Sequence, residues 1–494
     1  MNSEQVYDSG RMNDSIKNNN PSLVIIGISL GIASAAFLLS WYEHYLIAAV
    51  ILLGSCFLVY TMVTQKYLLS LCALIPFSQP LPLALGSKTI GFMPEYILLP
   101  VVGLFLLMEK VRKKDTGFLR TGLLVPYALF LFVAAVSLAI TGSEMGFAKI
   151  IPGVGTLYIL SIALIVFICL NEYVRSENQV SDITFVLLAS SILVSLYGII
   201  EYFINLSVKH YRIRSFFVTL FWQEGGSNPN SLGTYLMIII LLGIGMRKAY
   251  QGKRKSIINI SLLINFIALV LTGSRSSLIA TLIGGFALGV RRDKRILLAA
   301  IPLIGGITYV ISTIPRAWDR LTSVISIISD QKVINFFLRI DPNKLDWDRI
   351  GYFGLGGYNI DIIAGANRFA TWVTGIKVFG DYPVLGVGFQ MSKDYAGFET
   401  AENLWLDIGI MTGAIGLSLF LWWTSRVVKI SRTNKEIQIS SFTNSFSESY
   451  RIILLGIFIT TLTGSVMLVL KLVILFWLLT SLQCSLHLRR TVSR

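Results

Sequence analysis

Long uncharged apolar runs constrain the fold of this chain more than any other feature. They recur along its whole length, for example at Ser22–Tyr42, Tyr45–Val63, Leu123–Ile140, Ile257–Leu271 and Ile452–Leu470. About 20 apolar residues cross the hydrocarbon core of a bilayer as one α-helix. A membrane β-barrel would instead show alternating segments of roughly ten residues, and the sequence lacks that pattern. These runs predict a helical membrane protein.

Composition agrees with this prediction and argues against a nucleic-acid partner. Only 14% of residues are charged and 54% are apolar, whereas a soluble domain has about 25% charged residues. The formal charge is +15, but the basic residues cluster in loops on one side of the predicted topology. These clusters are Lys110–Arg120, Arg247–Lys255, Arg291–Arg295, Arg426–Lys435 and His487–Arg494. The positive-inside rule places such loops in the cytoplasm.

This placement predicts an all-α protein with about fourteen membrane spans and both termini in the cytoplasm. The spans are 22–42, 45–64, 67–86, 91–109, 121–141, 151–170, 180–205, 231–246, 257–273, 276–290, 296–313, 403–424, 452–469 and 472–486. Residues 1–21 form a disordered tail without a signal peptide, 22–486 a single transmembrane domain, and 487–494 a basic tail. Prolines break the third span. A re-entrant hairpin formed by the last pair would give about twelve spans.

Two external segments are rich in basic residues. The first, Leu206–Asn230, contains Arg212 and Arg214, and the second is a loop of about 315–401 between spans 11 and 12, with Arg316 and Arg320. Long loops cross the membrane largely regardless of charge, and a long ordered loop is usually functional.

A helix is predicted inside the long loop. Apolar residues recur at helical spacing over Asn367–Gly380, and Pro383 ends the pattern. We expect this helix to lie on the outer membrane surface with its apolar face down.

The stretch Thr272–Ser277 is the first candidate for chemistry. It joins two spans on the external side, so Arg275 begins a membrane helix, where Ser274 and Ser276 offer N–H groups and hydroxyls to an anion. The guanidinium of arginine suits phosphate oxygens. The alternative is an arginine that reaches to lipid headgroups while the serines cap the helix.

Three further stretches follow the same reasoning. Arg368 and the glycine-containing Pro383–Gly388 could bind a ligand or could belong to a simple surface helix and turn. Glu402 and Asn403 precede the span at 403–424, where a carboxylate could act as a general base or could only complement the helix dipole. Asn228 and Asn230 flank a proline and could line a site or form a cap and turn.

These stretches, in this order, resemble the O-antigen ligase/polymerase superfamily of membrane glycosyltransferases. Four patterns carry the resemblance: an Asn-Pro-Asn-like turn, a Thr-x-Ser-Arg element, an Arg…Trp…Pro-Leu-Leu-Gly-Val-Gly pattern, and a His- or Glu-Asn-x-x-Leu segment followed by Gly-x-x-Gly. In this chain they are Asn228–Asn230, Thr272–Arg275, Arg368–Trp372 with Pro383–Gly388, and Glu402–Leu406 with Gly413–Gly416.

The resemblance implies a cofactor-independent glycan transfer at the external face of the cytoplasmic membrane. The donor is a glycan on a polyprenyl diphosphate, Arg275 and Arg368 stabilise the diphosphate leaving group, and Glu402 is the candidate base. Substrate-binding candidates are Arg212, Arg214, Asn228, Asn230, Ser274, Ser276, Arg316, Arg320 and Asn403. Membrane lipids and, as further partners, chain-length regulator or flippase proteins are implied, and no metal site is expected.

Ligases of this superfamily that use lipid A core carry histidine where this chain has Glu402, which favours a polymerase that joins lipid-linked repeat units. The alternatives are a ligase acting on a lipid or protein acceptor, and a flippase for lipid-linked oligosaccharide. A transporter predicts buried mid-membrane charges and a repeated half. The sequence instead shows few ionisable residues in its spans and no repeated segment.

Overall fold

The computed structural model describes residues 81–85, 88–92, 112, 122–174, 176–205, 213, 229–292, 360–398, 400–432, 440–465 and 469–492. The two tails, the predicted spans 22–42, 45–64 and 296–313, most of 67–86 and of 91–109, and the loop part 315–359 lie outside these ranges.

The described structure is predominantly helical, as predicted, with one short antiparallel hairpin as an exception among the described residues. Strand β1 (Leu81–Leu85) pairs with β2 (Lys88–Phe92) in the register Leu81↔Phe92 to Leu85↔Lys88. The end of the third predicted span is therefore a strand and not a helix. Pro82 fits here because a short two-stranded hairpin leaves edge positions that need no amide donor.

Helices form the rest of the described structure. In chain order they are α1 (Leu124–Met145), α2 (Phe147–Tyr173), α3 (Glu177–Ile204), α4 (Pro229–Met246), α5 (Gly252–Thr272), α6 (Arg275–Arg292), α7 (Ile360–Asp381), α8 (Ser392–Ala396), α9 (Leu404–Ser431), α10 (Ser441–Thr461) and α11 (Leu470–Val492).

Five of the described helices are long and apolar enough to cross a membrane: α1, α3, α4, α5 and α9. They coincide with the predicted spans 121–141, 180–205, 231–246, 257–273 and 403–424, which confirms a multi-pass helical membrane protein. Large apolar side chains on these helices point outward, as in Phe132 (66% exposed), Leu193 (59%) and Leu263 (63%). Such an apolar outer surface suits contact with lipid and not with water.

Helices α2, α6, α10 and α11 also lie at predicted spans, but α10 differs in extent. It begins at Ser441, where the Ser440 hydroxyl accepts the Thr443 amide, and ends at Thr461, while the predicted span was 452–469. The first part of α10 is rich in serine, and Ser445, Ser447 and Ser449 are all buried. Small hydroxylated residues let helices approach closely inside a membrane, so hydropathy alone placed this helix about ten residues too late.

Helix α4 lies at the centre of the helices that the structure describes. Nearly all of its residues from Ser231 to Met246 are buried, and it packs against α5, α6 and α10. Gly233 faces Ser274 at the start of α6. Along α10, Ser449 faces Gly245 of α4, and Gly456 faces Met237 of α4. Helices α4 and α6 therefore run in the same direction, and α10 runs in the opposite direction.

These directions give the bundle two chemically different ends. The first end is called the basic end. Arg247, Arg291 and Arg432 lie there at the C-terminal ends of α4, α6 and α9, and Arg254 lies there at the start of α5. The other end, called the site end, brings together the N-termini of α4, α6 and α9 with the C-terminus of α10. The predicted basic loops thus share one end within the described residues.

Candidate functional site

The turn between α5 and α6 lies against the start of α4 at the site end. Gly273 ends α5 in a left-handed conformation, and α6 begins at Arg275, as the sequence predicted. The Ser274 hydroxyl donates to the Ser277 hydroxyl at 2.9 Å, and the Ser274 amide donates to the Thr272 hydroxyl at 3.1 Å. We call Thr272–Ser277 the α5–α6 junction.

The α5–α6 junction contacts α4 because α4 has a glycine there. A Cβ built on Gly233 would lie 2.6 Å from the Cβ of Ser274, so the close approach requires a residue without a side chain. The hydroxyls of Thr234 and Ser277 lie 3.4 Å apart. Thr234 is one helical turn after Asn230 and donates its hydroxyl to the Asn230 carbonyl oxygen at 3.0 Å. Two of the stretches singled out from the sequence are therefore neighbours.

The helix predicted in the long loop is present as α7 and ends at Asp381, before Pro383. It packs on α9 through Gly375, whose added Cβ would lie 2.8 Å from Ile410. Trp372 and Phe379, from the predicted apolar face, pack against a buried cluster that includes Val378. Helix α7 therefore contacts protein on this side, while Ile376 is 62% exposed.

The segment Pro383–Gly388, called the crossing segment, pairs with a break in α9. Gly413 has φ 63° and ψ −169° and interrupts the helix. Val387 N–H donates to Ile410 O and Gly388 N–H to Met411 O, both at 2.9 Å, and Ala414 N–H donates back to Pro383 O at 2.7 Å. The backbone groups released by the break are thus satisfied by the loop, as membrane depth requires.

Helix α1 contacts both partners of this pairing, and helix α2 contacts α8. The Thr141 hydroxyl donates to Val387 O at 2.8 Å, and the Ser137 hydroxyl donates to Met411 O at 3.0 Å. Lys149 and Asp394 form a surface ion pair at 3.4 Å. These contacts pack the crossing segment and α8 against α1 and α2.

Glu402 and Asn403 begin α9 at the site end. Asn403 is the N-cap, and its side-chain oxygen accepts the amides of Trp405 and Leu406 at 3.1 and 3.2 Å. Its side-chain nitrogen donates to Leu462 O at 3.3 Å, which ties α9 to the end of α10. Glu402 has φ 54°, a left-handed conformation that is uncommon for a residue other than glycine.

The environment of Glu402 also contains residues that the sequence did not single out. Asp407 is fully buried and accepts the Ala401 amide and the Thr400 hydroxyl, both at 2.7 Å, as well as the Ser465 hydroxyl. The Trp372 indole donates to Ala401 O at 2.8 Å. The sequence contained a signal for Asp407, since an ionisable residue within an apolar span is by default a functional candidate.

An apolar groove of about 400 Å³ begins beside this cluster. It is lined at one end by Leu404, Trp405 and Thr461, and it runs along α9 and α10 to Arg432 and Arg451 at the basic end. The lining between these ends consists mainly of aromatic and aliphatic side chains. Its chemistry suits a long hydrocarbon chain.

The predicted site residues divide into three groups. The first group lies at the site end and consists of Asn230, Ser274, Arg275, Ser276, Glu402 and Asn403. Helix α10 connects the elements that carry them, because it packs against both α6 and α9. The backbone of Arg368 lies in α7. Arg212, Arg214, Asn228, Arg316 and Arg320 lie outside the described residues. Within the described ranges, no three His, Cys, Asp or Glu residues are grouped to hold a metal ion.

Comparison with known protein families finds a match that includes the α5–α6 junction, the crossing segment and the start of α9. Residues 260–421, from within α5 to within α9, match the family model described as O-Antigen ligase. No curated protein matches the chain. The match supports a glycosyltransferase function of ligase or polymerase type, and it confirms the predicted resemblance of this chain to the O-antigen ligase/polymerase superfamily.

Proposed function

We propose that this protein is a polysaccharide polymerase of the cytoplasmic membrane. It transfers a glycan from a polyprenyl diphosphate onto a second lipid-linked repeat unit at the external face. The observation that carries the proposal is the position of the α5–α6 junction and Glu402 at the end of the bundle opposite the basic end. The positive-inside rule makes the basic end cytoplasmic, so the site end faces outward.

In the proposed reaction, a hydroxyl oxygen of the acceptor sugar bonds to the anomeric carbon of the donor glycan. The bond between that carbon and the diphosphate oxygen breaks, and the electron pair leaves with the polyprenyl diphosphate. The proton of the acceptor hydroxyl passes to the Glu402 carboxylate. The products are one new glycosidic bond and one polyprenyl diphosphate.

Arg275 and Arg368 stabilise the negative charge that develops on the leaving diphosphate. Fixed cationic donors act most strongly where water is excluded, and each hydrogen bond to a charged group is worth about 1.5–3 kcal/mol. Ser274 and Ser276 add hydroxyl groups beside Arg275 at the start of α6. The other substrate-binding candidates, including Arg316 and Arg320 in the long loop, contact the sugar or diphosphate in this proposal.

The apolar groove supports a lipid-linked donor in particular. It starts at Leu404, next to Glu402 and Asn403, and its apolar lining continues toward the basic end. A polyprenyl chain laid in this groove would leave its diphosphate at the site end. Because the surrounding lipid tails are as apolar as the groove lining, such a chain would be held by van der Waals packing against these side chains.

A ligase is the second candidate, because the family model that matches is described as O-Antigen ligase. The two candidates share the donor and differ in the acceptor. Purified protein in liposomes, given a donor repeat unit and either a second lipid-linked repeat unit or a lipid acceptor, distinguishes them. Products that grow by whole repeat units support the polymerase, and a single transfer to the lipid acceptor supports the ligase.

Charge variants test the site in the same assay. We expect Arg275→Ala to abolish transfer, while Arg254→Ala, at the basic end and paired with Asp182 at 2.9 Å, retains it. Lipid movement across the bilayer without any new glycosidic bond would support a flippase and contradict both transferase proposals.

A further inference from the structure

The contacts of Asp407 identify a residue whose role differs from that of the proposed base. Asp407 lies in the first turn of α9, is 0% exposed, and is four residues after the N-cap Asn403. One carboxylate oxygen accepts the Ala401 amide, and the other accepts the hydroxyls of Thr400 and Ser465. Both carboxylate oxygens of Asp407 thus bind protein donors and do not serve an acceptor sugar.

The groups that Asp407 holds are the immediate neighbours of Glu402. Thr400 and Ala401 precede it, and the Thr400 hydroxyl that donates to Asp407 also accepts the Glu402 amide at 3.1 Å. Asn403, which follows, is anchored to α10 through Leu462. The backbone around Glu402 is therefore fixed on both sides.

These hydrogen bonds hold Glu402 in an unfavourable backbone conformation. A left-handed φ of 54° at Glu402 is disfavoured for a residue with a Cβ, and such conformations persist only where surrounding contacts over-determine them. The three hydrogen bonds to a buried carboxylate supply those contacts. Without them, the segment Thr400–Asn403 would relax and the Glu402 side chain would change direction.

We propose that Asp407 is a positioning residue that holds Glu402 in its left-handed conformation at the start of α9. The inference rests on the proposed function, in which Glu402 is the base. Ser465 extends the arrangement: because it bonds to both Asp407 and Thr400, the turn after α10 also sets the position of Glu402.

Two variants test this role. Asp407→Asn keeps the volume of the side chain but leaves one acceptor oxygen, so the side chain can no longer accept the Ala401 amide with one oxygen and the hydroxyls of Thr400 and Ser465 with the other. Thr400→Val removes the bridging hydroxyl at constant shape, and Thr400→Ser restores it. The matched control is Asn265→Ala, because Asn265 is equally buried and bonded to Ser195 at 2.6 Å, in the contact between α3 and α5.

The first readout is hydrogen exchange of the Ala401 and Glu402 amides in detergent, which needs no activity. We expect both amides to exchange at least tenfold faster in Asp407→Asn and Thr400→Val, and at the wild-type rate in Thr400→Ser and Asn265→Ala. Unchanged exchange in both Asp407→Asn and Thr400→Val overturns the proposal. If Asp407→Asn does not fold, the Thr400 pair decides.

The second readout is the rate of polyprenyl diphosphate release. Because displacing a catalytic group by about 1 Å can cost about 10²-fold in rate, we expect kcat to fall about 10²-fold in Asp407→Asn, with KM for the donor nearly unchanged. An equal loss in Asn265→Ala would show a general stability effect and overturn the positioning role. If the wild-type protein releases no polyprenyl diphosphate, the proposed function is refuted. Faster hydrogen exchange in Asp407→Asn would in that case still support the fixation of Glu402.

Discussion

Gly413 offers the sharpest structural test, because its substitution by alanine acts on the break in α9. Its φ of 63° and ψ of −169° fall in a region that is essentially restricted to glycine. An added Cβ would also lie 2.5 Å from Leu385 N and close to the Val384 carbonyl. These are backbone atoms of the crossing segment, so a side-chain rotation cannot relieve the contact.

The magnitude follows from these two effects. The backbone conformation costs about 1–3 kcal/mol when a Cβ is present. Moving the crossing segment away breaks the bonds from Val387 N–H to Ile410 O, from Gly388 N–H to Met411 O and from Ala414 N–H to Pro383 O, at about 1 kcal/mol each. We expect Gly413→Ala to lower the free energy of unfolding by about 4–6 kcal/mol.

Equilibrium unfolding in detergent measures this loss, and Gly380→Ala is the control because no atom lies within 4 Å of its added Cβ. We expect glycan transfer to fall along with stability, since the crossing segment precedes α8 and the residues that lead to Glu402. A Gly413→Ala protein within about 0.5 kcal/mol of the wild type, the usual range of neutral substitutions, would refute this account of the kink.

Three further predictions concern the site end. Gly233→Ala should lower the free energy of unfolding by about 1–3 kcal/mol, because its methyl group would meet Ser274 at 2.6 Å. Thermal unfolding measures this loss, and Gly285→Ala is the control because the atom nearest to its added Cβ is 3.7 Å away. Trp372→Phe removes the bond to the Ala401 carbonyl at about 1 kcal/mol, so transfer should slow severalfold without loss of folding, and an unchanged rate would contradict a role for this bond. Arg275→Lys should restore only part of the activity lost in Arg275→Ala, because lysine keeps the charge but not the planar pair of donors; equal rates for lysine and arginine in a transfer assay would argue against diphosphate recognition by the guanidinium.

The helices and the α5–α6 junction were predictable from the sequence because they depend on local pattern. Apolar runs of membrane length placed α1, α3, α4, α5 and α9, and Gly273 with the following serines marked the start of α6 at Arg275. The hairpin also had a local signal, since Gly86 and Ser87 separate its two strands and a two-residue Gly-Ser connection is typical of hairpins. The prolines nearby led to its interpretation as a broken span.

The environment of Glu402 was not predictable, because its partners come from distant parts of the chain. Asp407 bonds to Ser465 across 58 residues, and Trp372 reaches Ala401 across 29. The pairing of the crossing segment with α9 likewise depends on a break at Gly413 that no periodicity shows. Such contacts are fixed by tertiary packing, which a single sequence does not encode in a readable pattern.

The stoichiometry of the reaction tests the central claim most directly. Purified protein in liposomes would receive a lipid-diphosphate-linked repeat unit, and mass spectrometry would count new glycosidic bonds and released polyprenyl diphosphate over time. We predict one diphosphate lipid released for each bond formed, with both products lost in Glu402→Gln and Arg275→Ala. Release without bond formation, or undiminished bond formation in both variants, would contradict the account.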